Sequence, residues 1–357
     1  IRRQRQMCIR DSQVVAFESA APDLVSPATS GINHIFAGRV GSLELVSVAL
    51  RLPNQTANIF GPDSIGNDAL NMTPDEHVGR RVVIAKGTGA GQVRLISSNT
   101  ATTLIVTPLW TTTPDETSVF RVVEEADGAS ASVAVSSDGR FIAFASVATN
   151  LAPGDTNGAS DIFAHDRDTG ETFRVSLVLN LGNQTADIFG PDNIGNSTLT
   201  MTLDEHVGRL VEIVQGTGTG QVRLIVSNSD TTLWVARAWD MPPDETSVFH
   251  VSSEANGASF APSISGDGRY IAFQSLATNL VADDTNGVAD IFLYDRETGE
   301  TTRLSRLPDG TQANGVSRQP ALDASGRFCA FVSEATNLVA NDSNGRADVF
   351  IAFTGVK

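Results

Sequence analysis

The chain has 357 residues, with 25 basic against 41 acidic side chains and a formal net charge of −16. A field of that sign repels nucleic-acid phosphates and anionic membrane surfaces, so neither is expected as a partner. Aromatic residues make up only 6%, and no apolar run approaches the roughly 18 residues that span a bilayer, which leaves a β-rich chain without a membrane-spanning segment.

The first residues, IRRQRQMCIRDS, match nothing else in the chain. Met7 to Ser12, MCIRDS, resembles the translation of a transposon mosaic-end adapter used in sequencing libraries. Residues 1–12 are therefore set aside as an artefact, and the natural N-terminus, with any signal peptide, is expected to be missing. Residues 13–51 then carry VVAFES, HIFAG and LELVS, short runs with the Val/Ile/Phe bias of strands. They overlay on FIAFAS, DIFAH and TFRVS within 124–180.

Repetition organises the rest of the chain. Asp138-Gly139-Arg140 returns as Asp267-Gly268-Arg269, an offset of 267 − 138 = 129 residues, whereas Gly268 to Gly326 is only 326 − 268 = 58. The short unit stands uninterrupted within 253–318 as APSIS, RYIAFQS, ADIFLYDR and TTRLSRL, bounded by the turn sequences SGDG, DDTNG and DRETGET. Four short antiparallel strands per repeat is the composition of a propeller blade. The last copy, 319–357, lacks a closing strand as the first lacks an opening one, so an open arc or a strained ring is expected rather than a sealed propeller.

The difference, 129 − 58 = 71 residues, is an insertion that occurs twice, at 52–123 and 181–252. Both copies contain NQTA[ND]IFGPD, DEHVGR, GTG[AT]GQVRLI and a final PDETSVF. Their ends fall at one junction, so each is expected to fold as a compact β module with its termini close together. GTGAGQ invites a phosphate-loop reading, but VVIAK precedes it and QVRLI follows, so Gly87, Gly89 and Gly91 are expected to turn a hairpin rather than open a helix. Trp110 and Trp239 are expected to pack the modules; exposed, they would instead suit a sugar. His77 and His206 both sit in DEHVGR, one per module, and no second catalytic partner converges on either. Cys329, in FCAF where the sister copy reads YIAF, reads as a small core hydrophobe. There is no G-x-S-x-G elbow and no H-E-x-x-H.

A polar loop recurs as GDTNGASD, DDTNGVAD and NDSNGRAD. Its oxygen-bearing side chains are Asp155, Asn157 and Asp161, then Asp284, Asn286 and Asp290, then Asp342, Asn344 and Asp348. The spacing, with a glycine that lets the backbone bend, suits a hard cation such as Ca2+, the one candidate cofactor. It also suits an Asx-turn and glycine bend with the last Asp stabilising the start of the next strand. In the first unit the same tract, SPATSGINHIF, has lost its acids.

PSISGDGRYIAFQS, with the following DIFLYD, TGE and TRLS, resembles the blade repeat of TolB-like, WD-repeat-like β-propellers, over roughly 131–178 and 261–353. The GTGAGQ-x-R-x-I tract is similar to a small β module of phage-tail and bacterial surface-type proteins. The resemblance implies an all-β partial propeller of about four blades carrying two inserted barrel-like modules. It implies a fold and a binding platform rather than an activity. The function expected is a non-enzymatic binding or surface-display scaffold of an exported bacterial protein, periplasmic, cell-surface or secreted, with a protein or carbohydrate surface as ligand. The alternative is a propeller-based hydrolase or lyase, or the accessory domain of an enzyme whose catalytic part lies elsewhere.

Overall fold

The computed structural model describes residues 14–39 and 42–356; the adapter-like residues 1–12, with Cys8, lie outside the described residues. Strands form where the short apolar runs predicted them. The first sheet is β1 (Val15–Ser19), β2 (His34–Arg39) and β3 (Ser42–Leu45), in that order. Next come β4 (Val48–Thr56), β5 (Ile59–Gly61), β6 (Ser64–Gly66), β7 (Arg81–Lys86), β8 (Val93–Asn99), β9 (Thr103–Thr107) and β10 (Val119–Glu125). These make one seven-stranded sheet ordered β4-β10-β7-β8-β9-β6-β5. Strands β11 (Ser130–Val135), β12 (Phe141–Ser146), β13 (Asp161–Asp166) and β14 (Thr172–Arg174) form a four-stranded meander.

The pattern then repeats. β15 (Leu177–Thr185), β16 (Ile188–Phe189), β17 (Asn193–Gly195), β18 (Leu210–Gln215), β19 (Val222–Asn228), β20 (Thr232–Val235) and β21 (Val248–Glu254) reproduce the seven-stranded order. β22 (Ser259–Ile264), β23 (Tyr270–Ser275), β24 (Asp290–Asp295) and β25 (Thr301–Arg303) make the second meander. The last sheet has three strands, β26 (Ser317–Leu322), β27 (Phe328–Ser333) and β28 (Asp348–Phe353). All pairings are antiparallel, as short hairpin connections require.

The meanders stack face to face as blades. β11 lies on β1 and β2, β22 on β11, β12 and β13, and β26 on β22, β23 and β24. The core is consequently a series of layers between blades. One holds Ala16, Ile35 and Val46 against Val133, Ile142 and Phe144, the next Ala143, Ile162 and Val175 against Ile264, Phe273 and Phe292. A third sets Tyr270, Ile291 and Leu304 against Leu322, Cys329 and Phe331, so Cys329 is the core hydrophobe its context predicted. Covered on both sides, β12 and β13 are buried at every residue. Each seven-stranded sheet instead encloses its own core, around Phe120 and Trp110 in one and Phe249 and Trp239 in the other.

Two backbone features fix the spacing between blades. The Asp-Gly turns touch: Ser137 N–H donates to the Gly266 carbonyl at 2.8 Å, and Gly266 N–H to that of Ala324 at 2.8 Å. Gly268, at φ +74°, presses on Phe141 so closely that a Cβ would stand 2.3 Å from its ring. No other residue meets both demands. Each opening strand also carries a bulge, with Ser132, Ala261 and Gln319 in the left-handed region at φ 57°, 51° and 55°.

β1 pairs with β2 alone and β28 with β27 alone, so among the described residues the two terminal blades do not join in one sheet. The molecule is an all-β partial propeller, an open arc.

Candidate functional site

The recurring polar loop leads from the second strand of a blade to its third and ends at the junction with the next blade. In the second blade Asn157 Nδ2 donates to Asp161 Oδ2 at 3.1 Å and to the Ala255 carbonyl at 3.0 Å, while Asn157 Oδ1 accepts from the Ala159 N–H at 2.6 Å. Having partners at both ends fixes which way the amide faces. Asp161, fully buried, also accepts from Ser176 Oγ at 2.6 Å. Glu254, at the end of β21, accepts from the backbone N–H groups of Thr156 at 3.0 Å and Asn157 at 3.3 Å. The buried Arg174 guanidinium lies 3.2 Å from Glu254 and 3.7 Å from Asp155.

The third blade repeats this with one change. Asn286 Nδ2 donates to Asp290 at 2.7 Å and to the Ala313 carbonyl at 3.0 Å. Arg303 sits 3.1 Å from Asp284 and 3.7 Å from Asp290. The position of Glu254 is taken by Gln312, 312 − 254 = 58 residues on, whose Oε1 accepts from Thr285 and Asn286 N–H at 3.2 and 3.1 Å. The first blade, without the loop acids, keeps the joint alone. Glu125 accepts from Ser30 N–H at 2.6 Å and His34 Nε2 at 2.9 Å and pairs with Arg81 at 2.8 Å.

These groups are clasps. In each, a carboxylate or amide at the start of one blade collects N–H donors from the loop of the blade before. The structure brings Asp155, Asn157 and Asp161 together, and likewise Asp284, Asn286 and Asp290, but around an arginine. Each asparagine presents its amide nitrogen, not its oxygen, to the aspartate. The last aspartate faces the asparagine and a serine hydroxyl rather than nearby backbone N–H groups, while each asparagine does make the Asx-turn, its Oδ1 accepting from the N–H two residues on, at Ala159, Val288 and Arg346. This donor set does not fit a calcium ion, which needs oxygens converging on a point. In the fourth blade Asn344 donates to Asp348 at 2.9 Å, and Asp342 forms no ion pair among the described residues. Among the described residues no group of three or more His, Cys, Asp or Glu could hold a metal.

Burial sets the electrostatics of the clasps. It raises the Asp155 carboxyl to about 6, partly offset by Arg174. It also raises Asp161, Asp284 and Asp290, with Ser176 opposing it at Asp161, Arg303 at Asp284 and Ser305 at Asp290. At Glu125 burial also pushes upward, but the hydrogen bonds from His34, Ser30 and Arg81 outweigh it and hold the carboxyl well below its usual range.

The histidines do not form one centre. His77 and His206 are buried in separate modules, each ring within 2.8 Å of an arginine three residues on, Arg80 and Arg209, and burial lowers both. His165 is buried against Thr172, and desolvation pushes it down to about 3. Trp110 and Trp239 are buried, with Arg94 and Arg223 stacked 5.4 Å from their rings, so neither offers a face to sugar.

The modules are held from both sides. In the first, Arg81 donates to the Pro27 and Ala28 carbonyls at 2.6 and 2.7 Å on one blade, and Arg121 packs on Gly170 of the next. In the second, Leu210 packs on Gly154, and His250, 3.4 Å from Glu212, lies beside Gly299. The second module also exposes Leu224, Val226 and Trp234 on the neighbouring strands β19 and β20. Sequence reading missed this patch because its twin in the first module, Leu95, Ser97 and Ile105, is less apolar and mostly half-buried. It missed Glu254 and Gln312 as well, although both precede an alanine at the repeat offset.

What the fold and its joints define is a β-propeller arc locked by side-chain clasps. No family model and no curated protein matches the chain. Among solved structures it is similar to a TolB-assigned protein of Agrobacterium tumefaciens, at 13% identity over 94% of this chain and 80% of that one, with a TM-score of 0.28. It is also similar to TolB of Acinetobacter baumannii, at 12% identity over 92% of this chain and 62% of that one, TM-score 0.19. A third is the β-propeller domain of the Trilobed protease from Pyrococcus furiosus, with its open velcro topology, at 11% identity over 99% of this chain and 82% of that one, TM-score 0.27. At such scores these likenesses carry nothing about activity or partner, and the fold rests on the stacked sheets themselves.

Proposed function

We propose that the chain is a non-enzymatic binding scaffold, in which a rigid arc of blades presents the second inserted module to a protein or carbohydrate surface. The observation that carries this reading is the patch of Leu224, Val226 and Trp234, solvent-facing on a module that both adjoining blades hold in place. An exposed tryptophan flanked by aliphatic side chains offers a flat apolar contact at low cost in conformational entropy, the usual anchor of a recognition surface. The polar loops of the second and third blades support it too, because their side chains join blades rather than face solvent. Among the described residues no helix is long and apolar enough to cross a membrane. Export is part of the same proposal, and is checked by fractionating cells that express the full gene.

The test is a binding screen of the chain against immobilised polysaccharides and surface proteins, with Trp234→Ala beside it. The expected result is a ligand whose affinity falls at least about tenfold in the variant, the scale for a buried aromatic anchor. A ligand bound equally by both, or turned over chemically, would remove the reading.

A further inference from the structure

The fourth blade leaves one face bare. Val349, Ile351 and Phe353 on β28 are 73, 72 and 58% exposed, and Phe328 beside them on β27 is 47% exposed. Their counterparts Ile162 and Ala164 on β13, and Ile291 and Leu293 on β24, are 0–4% exposed, because β22 and β26 lie across them. The burial of β28 therefore alternates, whereas β13 is buried throughout.

The rim of that face is bare in the same places. Every interior joint has the residue before the third strand accepting a hydrogen bond from the opening serine of the next blade. Ser130 N–H binds the Asn33 carbonyl, Ser259 that of Ser160, and Ser317 that of Ala289, at 2.8, 2.6 and 2.8 Å. The fourth such carbonyl is that of Ala347. The clasp donors corresponding to Thr156 N–H, Asn157 N–H and the bond from Asn157 Nδ2 to a carbonyl are Ser343 N–H, Asn344 N–H and Asn344 Nδ2. Among the described residues the last reaches only Asp348.

We propose that this face docks the opening strand of another blade of the same repeat, led by a Glu-Ala or Gln-Ala pair. The glutamate or glutamine closes a fourth clasp on Ser343 and Asn344, the alanine carbonyl takes Asn344 Nδ2, and the following serine N–H binds the Ala347 carbonyl. The strand then covers Ile351 and Val349. The occupant follows from continuity with the interior joints. Glu125-Ala126, Glu254-Ala255 and Gln312-Ala313 each stand at this place, and an unrelated apolar partner would satisfy the face but not the four polar groups of the rim.

The probe is a peptide of residues 311–324, which carries Gln312-Ala313 and the whole of β26, added to the intact chain. Fluorescence anisotropy gives the affinity and hydrogen exchange the location. The expected result is saturable binding that slows exchange over 343–353. Ile351→Lys in the chain should weaken it at least about tenfold and Gln312→Ala in the peptide about fivefold, with Leu109→Lys, on a remote module, without effect. Ile351 is exposed, so its replacement leaves folding intact; Asn344→Ala supplies a second variant at the rim. Absence of protection at millimolar peptide, or equal binding by Ile351→Lys, overturns the proposal. So does sedimentation showing that the chain dimerises through this face and that Ile351→Lys dissolves the dimer, since the face then belongs to a second copy.

Discussion

Arg174 and Arg303 are each buried among carboxylates, and their energetics follow from that placement. Removing one partner of a buried ion pair leaves the other charge without compensation, at about 3–5 kcal/mol. Arg303→Ala should destabilise the chain by that amount in chemical unfolding. Glu254→Gln should cost no more than about 1 kcal/mol, because Gln312 performs the same joint as a neutral amide. Asp155 gives the pH dependence its sign. Its folded carboxyl is raised to about 6, above the unfolded value near 4, so its contribution is complete below about pH 4 and is lost as pH rises through about 6. Asp161, Asp284 and Asp290, shifted in the same direction, add to that decline. Glu125, shifted down, acts oppositely and loses its contribution on acidification below about pH 4.5. Asp155→Asn should therefore flatten the fall in melting temperature between pH 4 and pH 6 while leaving the acid limb unchanged. Calcium binding is tested at this scale as well. Asn286 bonds to Asp290 and Ala313, so Asn286→Ala should lower stability by about 1–2 kcal/mol equally in millimolar calcium and in chelator. A wild-type melt that rises with calcium would restore the cation to these loops.

A blade is defined less by its own hydrogen bonds than by the neighbours on its two faces. Phe144 with Phe163 and Phe273 with Phe292 stack across strand pairs at 6.0 and 5.9 Å, all four rings fully buried. Phe273→Ala should cost about 3–5 kcal/mol, the range for deleting a buried ring and leaving its cavity. Blade contents were largely legible, since YIAFQS and DIFLYD have strand composition and sit between turn sequences. The bulges at Ser132, Ala261 and Gln319 were not. Nothing in those residue types announces a left-handed backbone, which arises from fitting the opening strand across the preceding sheet. Gly268 lies between these cases. The sequence marked it as a turn glycine, but its contact with Phe141 exists only once two blades are stacked.

At the scale of the whole molecule, each blade's sheet stacks on its nearest neighbours, and each module encloses a core of its own. Stability should then be distributed as in other repeat arrays, as a sum of unit and interface terms. Calorimetric and van't Hoff enthalpies should disagree, the former larger, because the ends open before the centre. Native-state hydrogen exchange should find β12, β13, β23 and β24 slowest, with β28, covered on one face only, exchanging well before them. A single cooperative transition with uniform protection would contradict this picture.

Local chemistry and repetition were enough to establish the all-β class, the blade unit of four strands, the twice-repeated tract and the core placement of Cys329. Residue type, turn punctuation and a fixed offset carry all of these, and each is a short-range or periodic signal. The surroundings of the polar loops became visible only in three dimensions. GDTNGASD has side chains that suit a cation or a turn, and the groups beside it are Arg174 and Glu254, residues 19 and 99 positions beyond Asp155. Their approach is set by the stacking of one blade on the next, a distance that no local pattern encodes.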